Sequence, residues 1–272
     1  ASYPEHRRQG MVGKLLAHSL KAMKEDGQTF SMLNPFSYAF YRKYGWETFS
    51  EVKTYTLDVS QLPRPGHASG RIERFQPAAG WEIAQRIYET YAVRFNGMLV
   101  RDESRWRGSV LRRKPGNLAV YYNADDVPTG YMLYAIRDRF MRIHEFVHLD
   151  EDSRRGLWQF IGNHDSMIKE LSFSAPSSDR FAFSLSEPTV RQELHPNFMA
   201  RIVDVGGLLR QLPFRSDEGL ERFVLHVKDE HAPWNEGTFE VMINEDGIQE
   251  VSYSERLDAD AGGISCDIRT LT

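Results

Sequence analysis

Apolar positions recur along this chain with two periods, and the switches between them lay out its elements. Val12, Leu15, Leu16, Leu20 and Met23 fall at helical spacing after Gly10, and Gly27 stands where such a helix stops. Residues 29–33 read as a short buried strand. Pro35 opens a second helix carrying Phe36, Phe40, Tyr41 and Tyr44, closed by Gly45. Residues 52–57 give another strand. Residues 58–70 are rich in Pro, Gly and Ser, lack periodicity and read as a linker. Beyond them, residues 71–75 are strand-like, and Trp81, Ile83, Ala84, Ile87, Tyr88 and Tyr91 share one face of an amphipathic helix. Residues 103–112 suit a further helix. Residues 118–123 and 130–137 are strands about a turn, residues 140–149 a third strand and residues 152–163 a helix. Residues 166–173 continue from it, with another strand at 181–185. Past Pro188 and Pro196 come a strand at 198–203, a short helix at 205–212 and strands at 222–227, 237–243 and 248–253. Asn244-Glu245-Asp246-Gly247 is a hairpin turn between the last two.

This order predicts a multidomain α/β (α+β) protein. Residues 1–57 make turn, helix, strand, helix, strand, which is half of an α/β domain and too little to bury its own sheet. Residues 58–70 link it to a second domain over 71–195, whose order resembles a repeat of the same topology. Residues 196–272 form a small α+β unit. The chain opens on a motif without an initiator Met and stops at Thr272 on an apolar, strand-like run, so both ends read as truncated.

Composition narrows the classes. The 272 residues hold 34 Lys plus Arg against 38 Asp plus Glu, a net charge of −4, too balanced for a nucleic-acid coat or a polybasic membrane binder. With 41% hydrophobic and 12% aromatic residues a packed core is expected. Cys266 is the one cysteine, so an internal disulfide and a thiolate zinc site are excluded, in keeping with a reducing cytosol. The sequence contains no apolar run of membrane-spanning length, and residues 1–20 are too polar for a signal peptide.

The first candidate chemistry lies at the opening. Arg7-Arg8-Gln9-Gly10-Met11-Val12-Gly13 sits where a helix begins, and a helix start presents unpaired N–H groups and partial positive charge. Gly10 allows close approach to the backbone, and Arg7, Arg8 and Lys14 add charge beside it, which together describe a pyrophosphate cradle. A solvated basic helix start with an ordinary glycine turn fits the same residues. Tyr-Pro-x-x-Arg-Arg-x-Gly from Tyr3, then a helix, a strand and Phe40-Tyr41-Arg42-Lys43-Tyr44-Gly45-Trp46, resembles the second half of a GCN5-related N-acetyltransferase (GNAT) domain. The resemblance implies that Tyr3, Arg7, Arg8, Gln9, Gly10, Met11, Val12 and Gly13 bind acetyl-CoA. It also implies that Tyr41 protonates the leaving thiolate; a phenol with an ordinary pKa near 10 is a competent acid at neutral pH. Tyr41 also fits as a core aromatic beside Phe40 and Tyr44. Val12 departs from the Gly or Ala the family often has there.

If residues 71–195 repeat the fold, their pyrophosphate position is Asp150-Glu151-Asp152-Ser153-Arg154-Arg155-Gly156. Three acids stand ahead of the glycine, so this copy is expected to bind no CoA and to serve as a scaffold shaping the substrate cleft. A transferase half, a degenerate second copy and a third α+β unit together resemble the enhanced-intracellular-survival (Eis) acetyltransferases. The telling stretches are residues 155–164 and 199–205, and residues around Trp234 resemble a sterol-carrier-protein-like domain. The resemblance implies acetyl transfer from acetyl-CoA to small-molecule amines, including aminoglycosides, by a hexameric cytoplasmic enzyme. It further implies that the C-terminal carboxylate of the full protein is the base, and that this stretch alone is inactive.

Other patterns compete. His144-Glu145-Phe146-Val147-His148 matches the zinc-protease pattern, but its neighbours alternate as in a strand, where the histidines stand about 13 Å apart. No metal site is expected there. His164-Asp165-Ser166 holds the letters of a hydrolase triad, but consecutive residues lack the required geometry. The alternative classes are a lipid or small-molecule binder acting through the third domain with a vestigial transferase half, and a zinc hydrolase.

Overall fold

A computed structural model describes residues 3, 5, 9–64, 66–256 and 262–272. In chain order, α1 (Met11–Glu25), β1 (Phe30–Leu33), α2 (Tyr38–Arg42), β2 (Glu47–Thr48) and β3 (Glu51–Asp58) come first. Then come β4 (Arg71–Phe75), α3 (Pro77–Ala92), α4 (Glu103–Arg105), α5 (Leu111–Arg113), β5 (Asn117–Tyr122), β6 (Pro128–Arg137), β7 (Phe140–His148), α6 (Glu151–Gly162) and β8 (Glu170–Pro176). The remainder holds β9 (Arg191–Pro196), β10 (Met199–Ile202), α7 (Val205–Leu209), β11 (Glu221–Lys228), β12 (Gly237–Asn244), β13 (Gly247–Ser254), β14 (Ile264–Asp267) and α8 (Ile268–Leu271). The result is an α+β protein of three sheets, in two compact units: residues 1–50 with 196–272, and residues 51–195.

In the first unit β1 and β2 do not pair with each other. β10 lies between them, with Phe30 opposite Ile202, Leu33 opposite Met199 and Ala200 opposite Glu47. Leu20, Trp46, Met199 and Val203 are buried together, packed by Leu16, Met23 and Tyr41. The apolar stripe of α1 divides: Leu20 is buried, whereas Val12 and Leu15 are 41% and 62% exposed. Leu15 stands about 100° around the helix from Leu16, off the packed face, and Val12 is in the first turn. Beneath β10, the fully buried Arg201 donates from Nη2 to Asp229 Oδ1 at 2.7 Å and from Nε to the Tyr44 carbonyl at 2.6 Å. Asp229 also accepts from the N–H groups of His231 and Ala232 and from the Asn235 amide, so this buried charge is satisfied on every side. The second sheet of the unit runs β13-β12-β11-β14, with β11 and β14 parallel.

The second unit holds a seven-stranded sheet, β4-β5-β6-β7-β8-β3-β9. Alternate residues feed its two faces. Ala119, Tyr121, Met132 and Tyr134 pack with Leu157, Trp158 and Ile161 of α6. Leu118, Val120, Tyr131 and Leu133 pack with Trp81, Ala84, Ile87 and Tyr88 of α3. β7 and β8 run parallel and pair from Phe140 opposite Glu170 to Ile143 opposite Phe173.

β2 and β9 fall where the sequence pattern gives no element, and three further elements differ from it for a local reason. The second helix starts at Tyr38 instead of Pro35, because Ser37 is extended and its hydroxyl caps the Phe40 N–H, leaving Phe36 outside and 77% exposed. Residues 181–185 are not a strand. The Asp179 carboxylate accepts from the Phe181 N–H at 2.8 Å and turns the chain into a 3₁₀ segment, Phe181–Ser184. The final apolar run is β14 followed by α8, started by an Asp267 cap on the Thr270 N–H.

Candidate functional site

The site is built from the start of α1. Gly10 caps that helix in the left-handed region (φ 73°), and its carbonyl accepts the first helical bond from the Lys14 N–H at 3.1 Å. Among the described residues no side chain caps this start, and its first turn holds no acid. The N–H groups of Met11, Val12 and Gly13 have no partner inside the helix, and the helix dipole polarises them positively. Among the described residues, a Cβ on Gly10 would meet nothing within 4 Å, so space continues up to the backbone. Tyr3 is 74% exposed, and the Gln9 amide donates to the Glu5 carbonyl at 3.5 Å. Arg7 and Arg8 lie outside the described residues.

Tyr41 is half-buried at the end of α2. Its ring centroid stands 5.3 Å from Phe36, 5.2 Å from Phe40 and 6.1 Å from Trp46. It shares an apolar cluster with Leu16 and Leu20 of α1, which joins the helix and the phenol in one small core. Gly45, at φ 89°, turns the chain so that the Trp46 N–H bonds back to the Tyr41 carbonyl. The sequence pattern marks Tyr44 only as a helix aromatic beside Tyr41, and its hydroxyl lies 3.0 Å from where a Gly13 Cβ would stand. Tyr44 thus packs directly on the first turn of α1, and the signal for it was the pairing of a helix-start glycine with an aromatic before Gly45.

The corresponding turn in the second unit is closed. Asp150 caps α6 by accepting from the Ser153 N–H at 2.7 Å, and Ser153 bonds back. Glu151 holds Arg154 and Arg155, and Asp152 accepts from the hydroxyls of Ser69 and Tyr121. Those hydrogen bonds from Arg154 and Tyr121 keep the Glu151 and Asp152 carboxyls below their usual range. Gly156 serves packing, since a Cβ there would stand 2.1 Å from the Tyr121 ring. The Asp150 cap and the two acids of this first turn oppose an anion at this helix start.

β7 is a strand, as its alternation predicts, with one bulge: Leu133 faces Glu145 and Tyr134 faces Ile143, leaving His144 extra. Glu145 is an ion-pair anchor. Arg101, Lys114 and the Tyr131 hydroxyl all bond its carboxylate. Burial alone would raise its pKa, but Lys114 and Arg101 outweigh burial and hold it at about 2. Burial pushes His144 and His148 below the usual imidazole value. Among the described residues no group of three His, Cys, Asp or Glu is placed to hold a metal, and no helix is long and apolar enough to cross a membrane.

An open, positively polarised helix start beside a short aromatic helix, a second closed copy of that turn and a small C-terminal α+β sheet define the class. Residues 1–49 and 97–202 match two acetyltransferase (GNAT) domain models, and residues 205–272 match a sterol carrier protein domain model. The chain belongs to the GNAT N-acetyltransferase family, carries a sterol-carrier-like C-terminal domain and has an Eis-like architecture. That family implies use of acetyl-CoA. An uncharacterised N-acetyltransferase of Streptomyces avermitilis is 27% identical over 270 residues, covering 89% of this chain and 62% of that protein. A protein of unknown function from Enterococcus faecalis V583, described as a probable N-acyltransferase, superposes with a TM-score of 0.92 at 29% identity, covering 100% of this chain and 68% of that one. Eis1 of Mycobacterium abscessus shares the fold, with a TM-score of 0.74 at 22% identity, covering 100% of this chain and 69% of its own. The chain spans between 60% and 63% of the length of the curated relatives it matches.

Proposed function

We propose that the protein, at the length its relatives have, moves the acetyl group of acetyl-CoA to an amine by direct attack. The start of α1 holds the pyrophosphate through the N–H groups of Met11, Val12 and Gly13, with Arg7, Arg8 and Gln9 adding charge and hydrogen bonds and Tyr3 flanking them. The acceptor nitrogen bonds to the thioester carbon, the carbon–sulfur bond breaks, and the Tyr41 hydroxyl gives its proton to the departing thiolate. The amine proton goes to a carboxylate, in this reading the C-terminal one of the full protein, which the Eis resemblance favours. Holding both reactants in one geometry supplies about 7 kcal/mol or more of the barrier reduction. The acceptor class is a small amine, including polyamines and aminoglycosides, and the resemblance favours a hexamer, to be read by light scattering.

The observation that carries this reading is the contrast between two helix starts: α1 is uncapped and free of acid, while α6 is capped by Asp150. Gly10→Asp transfers the closed arrangement to α1. Compared with Gly10→Ala, which carries the same backbone strain at φ 73° without the charge, it is expected to lower CoA affinity at least tenfold in isothermal titration. Undiminished CoA binding by this variant would remove the pyrophosphate from α1.

A further inference from the structure

The C-terminal end of the first unit carries an open cavity of about 790 Å³, within the range that holds small ligands. Aromatic rings of Trp234, Phe239 and Tyr253 form part of its wall, and the carboxylates of Asp204, Glu236 and Glu255 line it. Lys24, in the last turn of α1, reaches into it. Its ammonium lies 5.6 Å over the Trp234 ring centroid and 3.4 Å from Asp204 Oδ2. The protein therefore already holds one alkylammonium here, between an aromatic face and a carboxylate.

That cation leaves acid over. Glu236 and Glu255 make no ion pair among the described residues. After burial, it is their charge that raises the pKa of Tyr253. The other base of the cavity, Arg210, donates to the Val251 carbonyl at 2.9 Å and keeps its charge, so the three carboxylates outnumber the two cations by one. An acyl chain laid here would strip water from carboxylates with no partner to replace it, which opposes lipid binding.

We propose that this cavity is a binding site for an organic cation of the alkylammonium class, its charge set against Trp234 and Tyr253 and between Glu236 and Glu255. The site is separate from the proposed transfer site. α1 has 15 residues and is about 22 Å long, with Gly10 before one end and Lys24 in the last turn of the other.

Trp234 reports on the site directly, because it is half-buried while Trp46, Trp81, Trp106 and Trp158 are buried. Choline, titrated without acetyl-CoA, is expected to change tryptophan emission saturably, whereas its uncharged isostere 3,3-dimethylbutan-1-ol does not. Glu236→Gln and Glu255→Gln together weaken choline about tenfold. Lys24→Met, which removes the internal competitor, tightens it about fivefold. These side chains are at the cavity surface, so the variants keep the fold. An equal response to the isostere, no saturable response to choline, displacement of choline by oleate, or weaker binding by Lys24→Met would each overturn the proposal. The readout is binding alone, so its failure leaves the acetyl-transfer reading standing.

Discussion

Two phenols with different surroundings stand near the start of α1. Tyr44 packs on Gly13 and on the His231 ring at 5.0 Å, so its work is positional. Tyr41 is held by rings on three sides, with its carbonyl fixed by the Trp46 N–H. Tyr41→Phe keeps this packing and removes one proton donor, so turnover with a polyamine is expected to fall about 100-fold with the affinity for CoA unchanged. Steady-state kinetics paired with CoA titration checks this, and equal turnover would take the acid role from Tyr41. Glu145 gives a prediction about stability. Its folded pKa of about 2 lies below the ordinary carboxylate value of 4.5. Its stabilisation is therefore complete above about pH 5 and is lost as pH falls from there toward 2. Glu145→Gln, which leaves Arg101 and Lys114 facing a neutral amide, is expected to cost about 3 kcal/mol in urea unfolding at pH 7, with the difference from wild type shrinking at pH 3.

At the scale of elements, the same letters do different work. Arg-Arg-x-Gly before α1 and Arg154-Arg155-Gly156 inside α6 look alike in sequence, and the acids ahead of the second were legible as a reason against anion binding. The capping by Asp150 follows from those letters too. That Gly156 exists to admit Tyr121 was not legible, because the ring that decides it comes from β5, across the fold. Gly156→Ala puts a methyl 2.1 Å from that ring and is expected to lower stability by about 2–3 kcal/mol, measured by chemical denaturation. The amphipathic helices and alternating strands were readable because their period is local. The start of α2 and the 3₁₀ turn at Phe181 were not, since single side-chain bonds from Ser37 and Asp179 override the apolar pattern there.

At the scale of the whole molecule, the pairing of β10 between β1 and β2 is the feature least visible in sequence, because a strand carries no mark of a partner so far away in the chain. Its consequence is that residues 51–195 are inserted into a unit made of both flanking segments. The two ends of the insertion are neighbours: the Asn197 N–H bonds the Ser50 carbonyl at 2.8 Å, and the Phe49 N–H bonds the Phe198 carbonyl at 2.9 Å. A short Gly-Ser link from Ser50 to Pro196 therefore closes the first unit with little strain. The chain lacking residues 51–195 is expected to unfold cooperatively and to keep Ala200 and Ile202 amides protected in hydrogen exchange. Cutting the chain after His195 has the opposite effect. It removes Met199 and Val203 from around Leu20 and Trp46 and leaves the facing edges of β1 and β2 bare, so residues 9–50 lose protection. If they instead stay protected without β10, the first unit does not depend on its C-terminal segment, and α1 is supported by residues 1–50 alone.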